Sequence, residues 1–169
     1  MKRIIGIFSV VCLTALCIFT CSCSFSASAK TYSVPNNNEI QVVNYNPVWG
    51  NVDANAEKIS QMSIEAEQNG AKMLIFPAMS LSGFMTENDE ATARSCAIEI
   101  NDGKIAPIAK TADEKNLWII FGAIEKKNNS LFNSTIAISP EGYASVYEEM
   151  VPVSNLFEAG SYPVCIDTE

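Results

Sequence analysis

Apolar and polar positions follow different rhythms in successive stretches of the chain, and these rhythms predict its elements. "EIQVVNYNPV", residues 39–48, carries the β-favouring pair Val42 and Val43 and stops at Pro47, which predicts a first strand. From about Asp53 to Asn69, Ile59, Met62 and Ala66 share one helical face, with Asn51 or Asp53 as the cap and Gly70 just past the end. "AKMLIFP" reads as a buried second strand, and its unbroken apolar run suits a sheet covered on both faces. After the small-residue loop "AMSLSGF", a helix is expected over 87–100. Another follows Gly103, where Ile105, Ile108, Ala109 and Ala112 recur at helical spacing. "LWIIFGAIEK", "LFNSTIAIS" and "YASVYEEM" are consecutive strands, separated by turns at Asn128-Asn129 and Pro140-Glu141-Gly142. The order β-α-β-α-α-β-β-β predicts an α/β fold, with helices packed on a hydrophobic sheet.

The first 29 residues break this pattern. Lys2 and Arg3 precede an apolar stretch from Ile4 to Phe19, and Ala27-Ser28-Ala29 supplies an A-x-A cleavage site. The stretch is short for a membrane span of ~20 residues. Residues 1–29 are therefore read as a signal peptide, cleaved after Ala29, and the product as secreted or extracytoplasmic. Lipid attachment at Cys21 or Cys23 is disfavoured, because Phe19 stands where a lipoprotein signal needs small side chains and Cys23 lacks the leading leucine. Residues 30–38, with "PNNN", form a flexible polar tail, and residues 39–169 form one domain.

Charge and composition narrow the chemistry. The mature segment keeps nine basic and nineteen acidic side chains, a net charge of −10, which argues against binding nucleic acid or anionic lipid. Four of six cysteines leave with the leader. Cys96 and Cys165 remain, too few for a disulfide scaffold, and Cys96 reads as a small buried hydrophobe. The sequence has no histidine, so Ser-His-Asp and Cys-His nucleophiles and His-containing zinc sites are all excluded. Carboxylates, lysine, cysteine or hydroxyls must carry any remaining chemistry.

Four stretches in order, "VVNYNPVWGNVDANAEKISQMSIEAEQNGAKMLIFPAMSLSGF", "WIIFGAIEK", "LFNSTIAISPEG" and "VYEE", resemble the N-terminal half of the nitrilase superfamily, the carbon–nitrogen hydrolases. The resemblance implies part of a nitrilase-like α-β-β-α sandwich, often assembled as dimers. It also implies hydrolysis of amides or nitriles by a cysteine nucleophile, a glutamate general base and a lysine that stabilises the tetrahedral intermediate, with no metal or cofactor. Such a mechanism needs no histidine. It does need all three groups together, since the carboxylate takes the thiol proton and the ammonium supports the oxyanion.

Here the motifs depart from the family. Its glutamate follows the proline after the second strand, where this chain has Pro77-Ala78. Its lysine closes a Y-R-K pattern that aligns with Tyr147-Glu148-Glu149, so an acid replaces the cation. A further family glutamate precedes the "F-x-P-G" segment, matched here by Phe157-Glu158-Ala159-Gly160, and counting back seven from Gly160 gives the apolar Val153; Glu158 would be a shifted substitute. "VCID" at 164–167 imitates the nucleophile signature, but Cys165 follows Gly160 by only five residues, too close for the family's nucleophile strand. No catalytic position is therefore expected intact, and the nucleophile is expected to be absent.

Two functions compete. One is a secreted, non-catalytic nitrilase-like domain that acts by binding. The other is a fragment of an amidase acting on non-peptide carbon–nitrogen bonds by a Cys-Glu-Lys mechanism. Against both stands the bland possibility that Gly122, Asn133 and Gly142 serve only turns and packing. Half a sandwich should also leave an apolar face and an unpaired edge, so a homo-oligomer or a partner chain is expected to cover the missing half. Asn128-Asn129-Ser130 and Asn133-Ser134-Thr135 are glycosylation sequons, relevant only in a eukaryotic secretory pathway.

Overall fold

The computed structural model describes residues 39–85, 89–101 and 103–168. The signal peptide and the polar tail predicted for residues 1–38 lie outside the described residues.

Eight elements follow in the predicted order: β1 (Ile40–Val42), α1 (Val52–Glu67), β2 (Met73–Ile75), α2 (Glu90–Cys96), α3 (Ala106–Lys115), β3 (Trp118–Lys127), β4 (Ser130–Ile138) and β5 (Ala144–Glu148). They build one sheet in sequence order. β1, β2 and β3 are parallel, as the intervening helices require, and β3–β4–β5 form an antiparallel meander.

Local chemistry sets the boundaries. The Asn51 side chain accepts from the Ala54 amide and starts α1, so Asn51 is the cap and Asp53 lies in the first turn. Asn116 takes a left-handed conformation to close α3, and Asn128 does the same in the two-residue β3–β4 hairpin.

The second helix is shorter than the expected 87–100. Asp89 caps it through Thr92, and at Ala97 the backbone turns extended. The edge of β3 beyond the end of β2 explains this. Ile98 docks there as a parallel bridge, its amide donating to Ile124 O at 2.9 Å while its carbonyl accepts from Lys126 N at 2.8 Å.

The sheet has two unlike sides. Leu74, Ile119, Phe121, Ile136 and Ile138 are completely buried in one core with Ile59, Ile108 and Ala112 of the helices. Cross-strand partners share a face. The rows Ile40–Met73–Trp118 and Val42–Ile75–Ile120–Ala137–Ser145 therefore lie on the opposite side. There Met73, Ile75, Trp118 and Ile120 are only half-buried, and Val42 is 79% exposed. The expectation of a second strand covered on both faces is corrected accordingly: Leu74 is covered, while its neighbours face a side that the described residues leave largely open. That open apolar side matches the expectation for half a sandwich.

Candidate functional site

β2, β3 and β5 run in the same direction, so Ala78, after β2, and Glu149, after β5, leave the same end of the sheet. Between them lies the row Gly122–Thr135–Tyr147. These two positions, singled out in the sequence, thus flank one stretch of sheet, about 10 Å across at the usual strand spacing.

The turn 77–83 that carries Ala78 is held with unusual thoroughness. A Cβ on Gly122 would lie 2.2 Å from Met79 N and 2.7 Å from Ala78 Cα, so only glycine lets the turn cross β3. Met79 itself sits at φ 54°. Ser80 and Ser82, both completely buried, replace strand partners: Gly122 N donates to Ser80 Oγ at 3.1 Å and Ile124 N to Ser82 Oγ at 2.7 Å. Asn55 of α1, 2% exposed, donates to Val48 O and Leu81 O and accepts from Val48 N. The Tyr45 hydroxyl donates to Ser80 O, and its ring meets Phe76 edge-on at 5.9 Å. Burial pushes the Tyr45 phenol up to about 12. None of this machinery carries the Ala78 side chain, which is exposed and ends at a methyl group.

Glu149 is held from three directions. Its amide donates to Asn133 O at 2.9 Å, its carbonyl accepts from Gly160 N at 2.9 Å, and Asn133 Nδ2 donates to Oε2 at 2.8 Å. Its side chain has no cation partner among the described residues. The preceding Glu148 instead contacts Lys127, which lies 3.4 Å from Glu125 Oε1. Glu125 is 1% exposed and accepts from Ser134 Oγ at 2.7 Å, so its buried charge is paired and hydrogen-bonded. Hydrogen bonding to Glu148 is the main influence raising the Lys127 ammonium above its usual range.

The other positions singled out in the sequence lie apart. Val153 is 97% exposed. Glu158 donates its amide to Leu131 O and lines a cavity of about 370 Å³ with Glu90 and Arg94. Cys165 is free and exposed, whereas its neighbours Val164 and Ile166 line a cleft of about 120 Å³ against Ile120, Ala137 and Tyr147. Cys96 is free and buried, its Sγ donating to Ala93 O at 3.5 Å, and burial raises its pKa. It is the inert hydrophobe its sequence context suggested. Among the described residues no three acidic or cysteine side chains group as a metal site, and no helix is long and apolar enough to cross a membrane.

Sequence reasoning passed over Tyr45, Asn55, Ser80 and Ser82. Asn55 is a polar residue that breaks the buried face of α1, and that mismatch was its one available signal.

This parallel-then-antiparallel sheet, with its site turn after β2, has counterparts among known proteins, and the carbon-nitrogen hydrolase family matches residues 40–163. The chain belongs to that family. Nitrilase 2 of Arabidopsis thaliana is 22% identical over 129 residues, which cover 67% of this chain and 38% of that protein. A CN-hydrolase superfamily protein from Xanthomonas campestris, solved with an arsenic adduct in its active site, superposes with a TM-score of 0.64 at 18% identity, over 77% of this chain and 49% of its own. An amidase from Nesterenkonia sp. superposes with a TM-score of 0.62 at 14% identity, over 73% and 48%. The chain thus spans about two fifths of that curated nitrilase and about half of each solved relative, which share its fold.

Proposed function

We propose that this carbon-nitrogen hydrolase-family domain, residues 39–169, is exported after cleavage at Ala29 and acts by binding rather than by hydrolysis. The observation that carries the reading is the pair Ala78 and Glu149 at one end of the sheet. A methyl group cannot accept the nucleophile's proton, and a carboxylate opposes an oxyanion. Cys165 is free and exposed and follows Gly160 by only five residues, too close for the family's nucleophile strand. The test is incubation of the purified chain with butyramide and butyronitrile while ammonia is measured. No release above background is expected, and release that survives Cys165→Ala and Cys96→Ala would sink the reading as surely as release that depends on them.

A second reading, an amidase fragment that works once joined to further chain or a partner subunit, draws on the partial coverage of its relatives and on the open apolar side of the sheet. Sequencing past Glu169 tests it. The reading requires an open frame into a cysteine-bearing strand, and Ala78→Glu with Glu149→Lys in the longer chain should then give amide hydrolysis. Failure of that restored chain to turn over any amide counts against it.

A further inference from the structure

We infer that Glu149 and the adjoining cleft form a site for a small primary ammonium ion with a short apolar chain. The inference rests on the binding reading above and names the chemical class of the ligand.

Three observations converge. Ser145 and Tyr147 of β5 and Glu149 just past its end alternate onto one side, so the Glu149 backbone lies about 7 Å along the strand direction from that of Tyr147. Tyr147 also lines the cleft of about 120 Å³, whose other walls are Ile120, Thr135, Ala137 and Ser145 of the sheet and Val164 and Ile166 of the C-terminal segment. These walls offer no charge, so they suit the carbon chain of a ligand. Its charged end must meet Glu149.

The carboxylate is prepared for that role. Asn133 fixes Oε2, and the backbone bonds to Asn133 and Gly160 fix the residue, while Oε1 has no hydrogen bond or ion pair among the described residues. A half-buried carboxylate with a free oxygen is best satisfied by a charge-assisted donor, and an ammonium group carries three N–H donors and one positive charge. A carboxylate ligand is repelled at the same place, and a neutral amide gains only an ordinary hydrogen bond. Where the family resemblance implies a cation that draws negative charge, this chain has an anion. Its preference should therefore be inverted.

Three probes with the same carbon chain and different charge test this: n-butylamine at neutral pH, butyramide and butyrate, each titrated calorimetrically into the full chain. The ammonium ion should bind about tenfold more tightly than butyramide, a ratio typical of a charge-assisted over a neutral bond, and butyrate should not bind. Glu149→Gln, which keeps an acceptor for Asn133, should remove the preference. Glu149→Lys should reverse it in favour of butyrate. Ser145→Leu narrows the cleft and should erase the advantage of n-butylamine over methylamine while leaving methylamine bound. Equal binding of the three probes, or an ammonium preference that survives Glu149→Gln, overturns the inference and leaves the non-catalytic reading standing. Turnover of butyramide overturns both.

Discussion

One side of this sheet is finished by the chain's own helices, and the other is left apolar and half-covered. On the first, Phe121, Ile119 and Ile138 lie at zero exposure among α1 and α3. On the second, Trp118 and Ile120 sit half-buried and Val42 is almost bare. The same β3 residues alternate between the two, so strand propensity cannot account for the difference. The contrast teaches that the helices bury one side of the sheet fully at these positions, while on the other the apolar residues stay half-buried among the described residues.

Substitutions on β3 should expose the contrast most sharply. Phe121→Ala should cost about 4 kcal/mol in urea denaturation, the loss typical of a deleted core aromatic. Ile120→Ala, one residue away on the other side, should cost about 1 kcal/mol because it surrenders only part of a buried side chain. Comparable losses would mean that the second side is covered in solution.

Gly122→Ala should come next, at about 3 kcal/mol, because its new methyl group collides with the Met79 backbone. A neutral result would show that the turn 77–83 can lift off β3. Asn55→Ala should cost about 2 kcal/mol, since it strands the Val48 backbone groups and the buried Leu81 carbonyl, and the midpoint of thermal melting should fall with it. Asn51→Ala, a lost helix cap on the finished side, should cost about 1 kcal/mol.

The smallest effect concerns pH. The folded-state pKa of Tyr45 is raised from 10.0 to about 12, so the unfolded chain ionises first as the solution becomes alkaline. The stability linked to the neutral phenol is fully present below pH 10 and is lost as pH rises through about 12. Spectroscopic titration should find one late phenolate step that Tyr45→Phe removes. If that step persists in the variant, Tyr45 does not anchor the turn.

The order of all eight elements was legible because period 2 and period 3.6 are written in the apolar residues themselves. The end of α2 was not. Ile98 and Ile100 extend a pattern that a helix and an edge strand can share, and the choice was made by the open edge of β3, a partner far along the chain. Ala78 and Glu149 stood out through resemblance to a motif, and the fold brought them to one end of the sheet. Ser80, Ser82 and Asn55 stayed hidden because a buried polar residue is explained by the backbone group it meets, which no local spacing reveals.

The serine hydroxyls against β3 have a further consequence, visible in isotope exchange. The amides of Gly122 and Ile124 are closed off by side-chain oxygens as firmly as by a neighbouring strand, and Leu81 N is closed by Gly122 O at 2.8 Å. Their deuterium uptake should thus track that of the central strands rather than that of loops. A segment so slow to open works as a socket. The side chain at position 78, exposed and outside this hydrogen-bonded frame, can be exchanged while the frame around it stays still.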